Sequence, residues 1–205
     1  MLRGLLQSDL FYCNHLGASE QDETDIMNFT IERDEGAGLL EYIQHHAFPE
    51  EDTGIMRTYI VRDNKSSELV GYFSLKAGLI SMNERQIETT DEKTGKKKKV
   101  TTFDTLPGVE LANFAVNSSY VQKHKEMKGL GVVIFSQFIL PIVRQTSENV
   151  GVKILYIFAL PYDDLIKSYH DRYGFSRLAD QYEDELHKRL KPFYDQYCKF
   201  MYIIL

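Results

Sequence analysis

The sequence has little cysteine, no long apolar run and no excess of positive charge. Cys13 and Cys198 lie near opposite ends of the chain, where they form neither a metal-ligand spacing nor a disulfide framework, so we interpret both as plain thiols. No uninterrupted apolar stretch approaches the roughly 20 residues of a membrane-spanning helix. The apolar N-terminus is interrupted by Gly4, Gln7 and Asp9, which argues against a signal peptide. We therefore expect a cytoplasmic protein that does not bind a membrane.

The charge balance limits the partners. The chain has 24 basic and 30 acidic side chains, a net charge of −6. Because affinity for phosphates needs a positive surface, this balance excludes a protein whose whole surface binds nucleic acid, although a local basic patch stays open. The length of 205 residues favours a single domain, 1–205, with an exposed hairpin insertion at about 84–104.

Apolar periodicity predicts the elements of the N-terminal half. An amphipathic helix is expected over Gly36–Phe48, beginning near Asp34. Two antiparallel hairpins follow, the second with Gly95 in its turn. Their strands are Thr58–Arg62 with Leu69–Leu75, and Gln86–Thr90 with Val100–Phe103.

The C-terminal half alternates strands and helices. The expected elements are a strand at Val109–Val116, a helix at Gly129–Thr146, a buried strand at Lys153–Leu160, a helix at Asp163–Tyr173 and a strand at Tyr197–Leu205. Pro141 predicts a kink or an early end of the first helix, and Gly174 predicts a left-handed cap of the second. Antiparallel pairs followed by one strand–helix–strand crossover indicate a mixed α/β domain.

Two closely spaced glycines, Gly129 and Gly131, stand where the strand Val109–Val116 has ended and a helix begins. Glycines at that position let the backbone approach an anion, which the free N–H groups and the positive helix end then bind. Lys123, Lys125 and Lys128 add positive charge beside them. The pattern is neither a Rossmann fingerprint, which needs a third glycine, nor a Walker loop, which needs Lys-Ser/Thr after the last glycine.

Several segments in order resemble one family. VELANFAVNSSY, KEMKGLGVVIFSQFI, VKILYIFAL and LIKSYHDRYGF, preceded by GYFSLKAG, are similar to the core of the GNAT family of N-acetyltransferases, and most similar to the branch that includes bacterial toxin acetyltransferases. The resemblance covers residues 30–205. It implies an α/β fold with a mixed, mostly antiparallel central sheet, flanking helices and a splayed cofactor cleft.

The resemblance also implies where acetyl-CoA, the co-substrate, is bound. In the family it lies in a gap between two central strands, here Val109–Val116 and Lys153–Leu160. The pantetheine arm then bonds the backbone near Phe114, Ala115 and Val116. The diphosphate lies on the N–H groups of Lys128, Gly129, Leu130, Gly131 and Val132. Two features depart from the family: Glu126 replaces the usual Gln or Arg, and the loop before Gly129 is longer than is common.

The resemblance further suggests the catalytic groups. The family often places a tyrosine four residues before the glycine of its final Gly-Phe, to protonate the leaving thiolate. Here that position is His170, and Tyr169 precedes it. Either a helix bulge restores Tyr169, or His170 serves instead, or one packs in the core and the other faces solvent. Glu110 matches a frequent family base, the alternative being a solvent-facing carboxylate. Asn113, an odd number of residues away, is expected on the opposite face.

The resulting hypothesis is an enzyme that moves an acetyl group from acetyl-CoA to an amine by direct attack, without a metal. The acceptor stays open among a small amine, a protein or peptide amine and an aminoacyl-tRNA. For tRNA, the lysines at 93–99 and 123–128 would form the footprint. The alternative for those at 93–99 is a solvated cluster that protects a sheet edge. A homodimer is an open alternative. The competing hypothesis is a non-catalytic acyl-CoA-binding module of the same fold.

Overall fold

One eight-stranded sheet runs through the protein, whose computed structural model describes residues 6–190 and 197–205. The strands are β1 Leu6–Gln7, β2 Phe11–His15, β3 Arg57–Asp63, β4 Leu69–Thr90, β5 Lys97–Val116, β6 Ile154–Ala159, β7 Ser176–Arg177 and β8 Lys199–Ile204. Their order is β1-β2-β3-β4-β5-β6-β8-β7. The β5–β6 pair is parallel and the other pairs are antiparallel, which confirms the predicted single crossover.

Helices cover both faces of this sheet. They are α1 Asp22–Met27, α2 Ala37–Glu41, α3 Ala47–Thr53, α4 Ser118–Lys123, α5 Leu130–Ile134, α6 Leu140–Val150, α7 Asp163–Tyr173 and α8 Asp180–His187. A 3-10 turn at Asp34–Gly36 precedes α2, and a π-helical turn at Tyr42–His46 joins α2 to α3. The helix predicted over Gly36–Phe48 is therefore confirmed. It continues to Thr53, where Gly54 closes it with a φ of 73°.

A second continuous helix, residues 130–150, connects the two parallel strands. A π-helical turn at Phe135–Ile139 joins α5 to α6. The early end predicted at Pro141 is wrong, because this proline stands in the first turn of α6, directly after the π turn, where its missing N–H is tolerated. In the described part of the chain this is also the one helix long and apolar enough to cross a membrane, but its inward side packs on the sheet.

The two faces of the sheet carry different cores. We call the front face the one on which Val109, Leu111, Leu155 and Ile157 pack against the helix 130–150. The back face carries two separate clusters, one around Ile60 and Tyr72 under α2 and α3, the other around Ile80, Tyr156 and Phe200 beside α8. Along β4 the exposed Lys76 lies between Tyr72 and Ile80, so the back face has a gap between its two clusters.

Strands β4 and β5 form a single hairpin of 22 and 20 residues. The predicted pairing of Gln86–Thr90 with Val100–Phe103 is present, with Ile87 opposite Val100 and Gly95 in the turn at a φ of 67°. These segments are the outer ends of the strands that reach the centre of the sheet, not a separate hairpin. We call residues 84–104 the hairpin arm.

Candidate functional site

Strands β5 and β6 separate after three paired residues. Their ladder joins Gly108 to Ile154, Val109 to Leu155 and Glu110 to Tyr156, and then ends. Strand β5 nevertheless stays paired with β4 as far as Val116, and β6 stays paired with β8 as far as Ala159. The segment 111–116, which includes Phe114, Ala115 and Val116, therefore has one edge without a strand partner. Such an edge binds an extended ligand through backbone hydrogen bonds.

A bulge lies where the strands separate. Leu75 pairs with Leu111, but Ser74 pairs with Asn113, so Ala112 is an extra residue in β5. The bulge reverses the alternation of side chains, and Glu110 and Asn113 therefore lie on the same, back, face. The expectation that they lie on opposite faces is wrong for this reason. Phe114 and Val116 are shifted to the front face, where they pack against the core.

The predicted anion site is a turn rich in free N–H groups. In the described part of the chain no hydrogen bond comes from the N–H groups of Lys128 and Gly129. Those of Leu130, Gly131 and Val132 stand in the first helical turn, where no intrahelical acceptor exists. The first backbone bond of the helix runs from Val133 to Gly129, at 3.1 Å. Gly129 has a φ of 71°, a left-handed conformation that favours glycine.

Gly131 is required for a different reason. A Cβ atom there would lie 2.6 Å from the hydroxyl oxygen of Tyr173 and 3.7 Å from the ring of Phe114. The turn, the C-terminal end of α7 and the splayed end of β5 therefore meet at one point. Tyr173 was not among the predicted site residues, although it precedes Gly174 and follows Tyr169 by one helical turn.

The two candidate acids lie on different sides of α7. Tyr169 faces inward, with its ring 5.6 Å from that of Tyr173 and 5.7 Å from that of Phe175. Burial raises the pKa of Tyr169 to about 12. The side chain of His170 is 67% exposed and contacts the neighbouring Asp171. The suggested bulge is absent, since α7 is α-helical from Asp163 to Tyr173. Without a bulge, Tyr169 therefore packs on Tyr173, the residue whose hydroxyl borders Gly131.

Glu110 is half-buried on the back face. Its Oε2 lies 3.4 Å from the hydroxyl oxygen of Tyr156, and Lys76 stands opposite it on β4. Burial raises the pKa of Glu110, while Lys76 and Tyr156 oppose that rise. The carboxyl group is therefore a better proton acceptor at neutral pH than a solvated glutamate. In the described part of the chain no group of three or more His, Cys, Asp or Glu side chains is placed to hold a metal.

Solved structures share this architecture, although no family model matches the sequence. A tyrosine-to-phenylalanine mutant of KacT superposes with a TM-score of 0.62 at 18% identity, over 96% of this chain and 95% of that one. AtaTR bound with acetyl-CoA gives 0.59 at 18% identity, over 96% and 94%. AtaT complexed with acetyl-methionyl-tRNAfMet gives 0.59 at 16% identity, over 95% and 94%. The chain has the GNAT fold.

The long loop that departs from the usual GNAT fold is itself folded. Asn117 caps α4 by accepting a hydrogen bond from the N–H of Ser119. Tyr120 is buried and donates a hydrogen bond of 2.6 Å to Asp63, at the end of β3. His124 and Lys123 both contact Glu68, at 2.9 and 2.7 Å. The extra residues therefore fasten the segment before the glycine turn to the β3–β4 connection.

Glu126, the other feature that departs from the family, points toward His124. We call the contacts of Tyr120, Lys123 and His124 with Asp63 and Glu68 the loop anchor. The carboxylate of Glu126 lies 3.6 Å from Nδ1 of His124 and its side chain is 71% exposed. The imidazole therefore partly offsets the negative charge of this carboxylate, which lies three residues before Gly129. Lys125 and Lys128 flank the turn as exposed basic side chains.

This anchor predicts a pH-dependent stability. The hydrogen bond to Glu68 raises the pKa of His124, with further contributions from Glu126 and Asp63 against the effect of desolvation. The stability that protonated His124 contributes is therefore complete below the ordinary histidine pKa of about 6.5. It is lost as the pH rises through the pKa of His124 in the folded protein. We expect His124→Gln to lower Tm at pH 6 and to differ less from wild type at pH 9. Thermal melts at both pH values measure this.

Lys123→Gln is the matched control, because it removes the other partner of Glu68. The hydrogen bond from Lys123, followed by that from His124, lowers the pKa of Glu68 to about 2, so the carboxylate stays charged at both pH values. Lysine is also charged throughout this range, and the deficit of Lys123→Gln should be similar at pH 6 and pH 9. Equal deficits of His124→Gln at the two pH values would contradict the role of the imidazolium.

Proposed function

We propose that the protein is an N-acetyltransferase that uses acetyl-CoA and transfers the acetyl group directly to an amine. The observation that carries the proposal is the opening between β5 and β6 beside a turn of free N–H groups. An extended pantetheine arm suits the unpaired edge of 111–116, and a diphosphate suits the turn 128–132. AtaTR, which has the same fold, is known with acetyl-CoA bound.

The residues divide the chemistry between the two faces. On the front face, the N–H groups of the turn and the neighbouring lysines hold the phosphates, while Tyr169 supplies a proton to the departing thiolate. On the back face, the gap beside Lys76 admits the acceptor, and Glu110 removes a proton from its ammonium group. A backbone N–H at the splayed end of β5 stabilises the negative charge that develops on the carbonyl oxygen. No cysteine lies in β5 or β6, in keeping with direct attack.

An aminoacyl-tRNA is the acceptor that we propose among the three classes. AtaT, a structural neighbour, is known in complex with acetyl-methionyl-tRNAfMet. The hairpin arm supports a large acceptor, because its tip stands far from the cleft: the 15 residues from Lys76 to Thr90 extend roughly 45 Å at the usual rise of a strand. Its tip carries five lysines, Lys93 and 96–99. Of these, Lys97 lies 3.7 Å from Glu88, and no ion pair engages the other four in the described part of the chain.

The experiment compares acceptors at increasing salt. Labelled acetyl-CoA is offered with methionyl-tRNA, a lysine peptide or a small polyamine, between 50 and 200 mM salt. We expect transfer to methionyl-tRNA, weakening steeply with salt because each phosphate contact releases counterions. Replacing Lys96, Lys98 and Lys99 by Gln should lower the affinity for tRNA about tenfold and flatten the salt dependence. Lys65→Gln, on the β3–β4 turn, is the control.

Three outcomes separate the alternatives. Transfer to the polyamine or peptide with little salt dependence would replace tRNA by a smaller acceptor. If the salt dependence of the lysine variant is unchanged, these lysines do not bind tRNA, and their role is to protect the arm's unpaired strand edges from pairing with other chains. Acetyl-CoA binding without transfer to any acceptor would favour the non-catalytic binding module, for which Glu126 beside the phosphate turn is the supporting observation.

A further inference from the structure

We propose that Tyr156 is a positioning residue that holds the carboxylate of Glu110 toward the acceptor side of the cleft. The inference rests on the proposed acetyl transfer and adds to it a residue that touches neither coenzyme nor acceptor. Three independent features of the back face support it: the register of the last β5–β6 pair, a two-glycine floor, and the charges around Glu110.

The register places the two side chains together at the point of separation. Glu110 and Tyr156 are the last paired residues of β5 and β6, and directly paired residues point to the same face. The hydroxyl oxygen of Tyr156 lies 3.4 Å from Oε2 of Glu110. Since β5 and β6 diverge beyond this pair, the carboxylate stands at the narrow end of the opening, and the hydroxyl fixes it from the β6 side.

The floor under the tyrosine consists of two glycines that pair across β4 and β5. Gly78 is opposite Gly108. A Cβ atom on Gly78 would lie 1.9 Å from the hydroxyl oxygen of Tyr156, and one on Gly108 would lie 3.0 Å from its ring. Any other residue at Gly78 would displace the hydroxyl itself. The backbone is therefore cleared of side chains where the ring crosses toward Glu110.

The groups around Tyr156 keep its hydroxyl protonated, so that it donates the hydrogen bond to Glu110. The ring packs against Phe158 and Phe200 at centroid distances of 5.9 and 5.6 Å, so its other neighbours are apolar. Burial, followed by the charge of Glu110, raises the pKa of the Tyr156 hydroxyl, which stays protonated. The charged side chain that faces Glu110 from β4 is Lys76. Lys76 is exposed and flexible, whereas the tyrosine is buried and fixed in direction.

The test compares Tyr156→Phe with Tyr202→Phe. Tyr202 pairs with Tyr156 across β6 and β8, so the control removes a hydroxyl from the adjacent ring. Burial raises the pKa of Glu110 and the hydrogen bond from Tyr156 opposes that rise, so loss of the bond should raise the pKa further. The acid limb of the pH profile for kcat should move up equally, with KM for acetyl-CoA unchanged. A carbon-13 titration of the carboxyl groups, assigned with Glu110→Gln, measures the same shift without any acceptor.

Tyr202→Phe should leave both readouts unchanged. A second variant, Gly78→Ala, should reproduce the effect of Tyr156→Phe by displacing the hydroxyl. Identical pH profiles and titrations for wild type and Tyr156→Phe would overturn the inference. Failure of the proposed function gives a different result, which is that the wild type transfers acetyl to no acceptor. In that case Tyr156 has no part in catalysis, even if the carbon-13 titration shows that it lowers the pKa of Glu110.

Discussion

Tyr169→Phe is expected to lower kcat of acetyl transfer about 100-fold or more, which is the usual contribution of a general acid. The hydroxyl suits the role because burial holds its pKa at about 12, so it is protonated at neutral pH. It also faces the ring of Tyr173, whose hydroxyl borders Gly131. KM for acetyl-CoA should change little, since the phosphate turn is untouched. Steady-state kinetics with a saturating acceptor measures both constants.

His170→Gln is the matched control on the same helix. Its imidazole is exposed and contacts Asp171, away from the rings that surround Tyr169. We expect the activity of this variant to equal that of wild type. Full activity of Tyr169→Phe combined with a large loss in His170→Gln would assign the proton donor to the histidine and contradict the present assignment.

Arg62→Met is expected to lower the free energy of unfolding by about 3–5 kcal/mol, the usual cost of removing one partner from a buried ion pair. The guanidinium is 4% exposed and bonds Asp22 at 2.7 Å and Asp25 at 2.6 Å. It also donates a hydrogen bond of 2.9 Å to the carbonyl of Ser67. Its loss would leave the buried Asp22 without a cation and would loosen the β3–β4 turn. Urea denaturation measures the change.

Asp25→Asn is the control for this prediction. The Asp25 side chain is 33% exposed, whereas that of Asp22 is 2% exposed, so water can replace part of what the substitution removes. We expect a loss of about 1 kcal/mol or less for Asp25→Asn. A loss below about 1 kcal/mol for Arg62→Met would mean that the ion pairs of Arg62 on β3 with Asp22 and Asp25 on α1 contribute little to stability.

Local signals in the sequence predicted the frame of the site. Gly174 adopts the left-handed conformation expected of it, and β6 is buried along its whole length as its apolar run indicates. Such features depend on a few neighbouring residues, so one sequence suffices to find them. The resemblance to the GNAT family supplied the remaining expectation, that the two central strands diverge.

Features that depend on pairing between strands were not predictable. The bulge at Ala112 leaves no mark in the alternation of VELANFAV, yet it decides which face Asn113 occupies. The glycine floor under Tyr156 depends on the register of β4 against β5. Helix α8 was also missed, because polar contacts rather than an apolar stripe attach it to the sheet. Its buried Glu183 accepts a hydrogen bond from the N–H of Phe200 and pairs with Arg177.

Binding of acetyl-CoA tests the central claim most directly, because the proposed function depends on a diphosphate bound at the turn 128–132. Acetyl-CoA at 100 times its Kd should stabilise the protein by about 2.7 kcal/mol in thermal melts. Acetyl-pantetheine, which has the same thioester arm without the diphosphate, should give a much smaller stabilisation at the same concentration. No shift with acetyl-CoA, or equal shifts with the two compounds, would contradict the account.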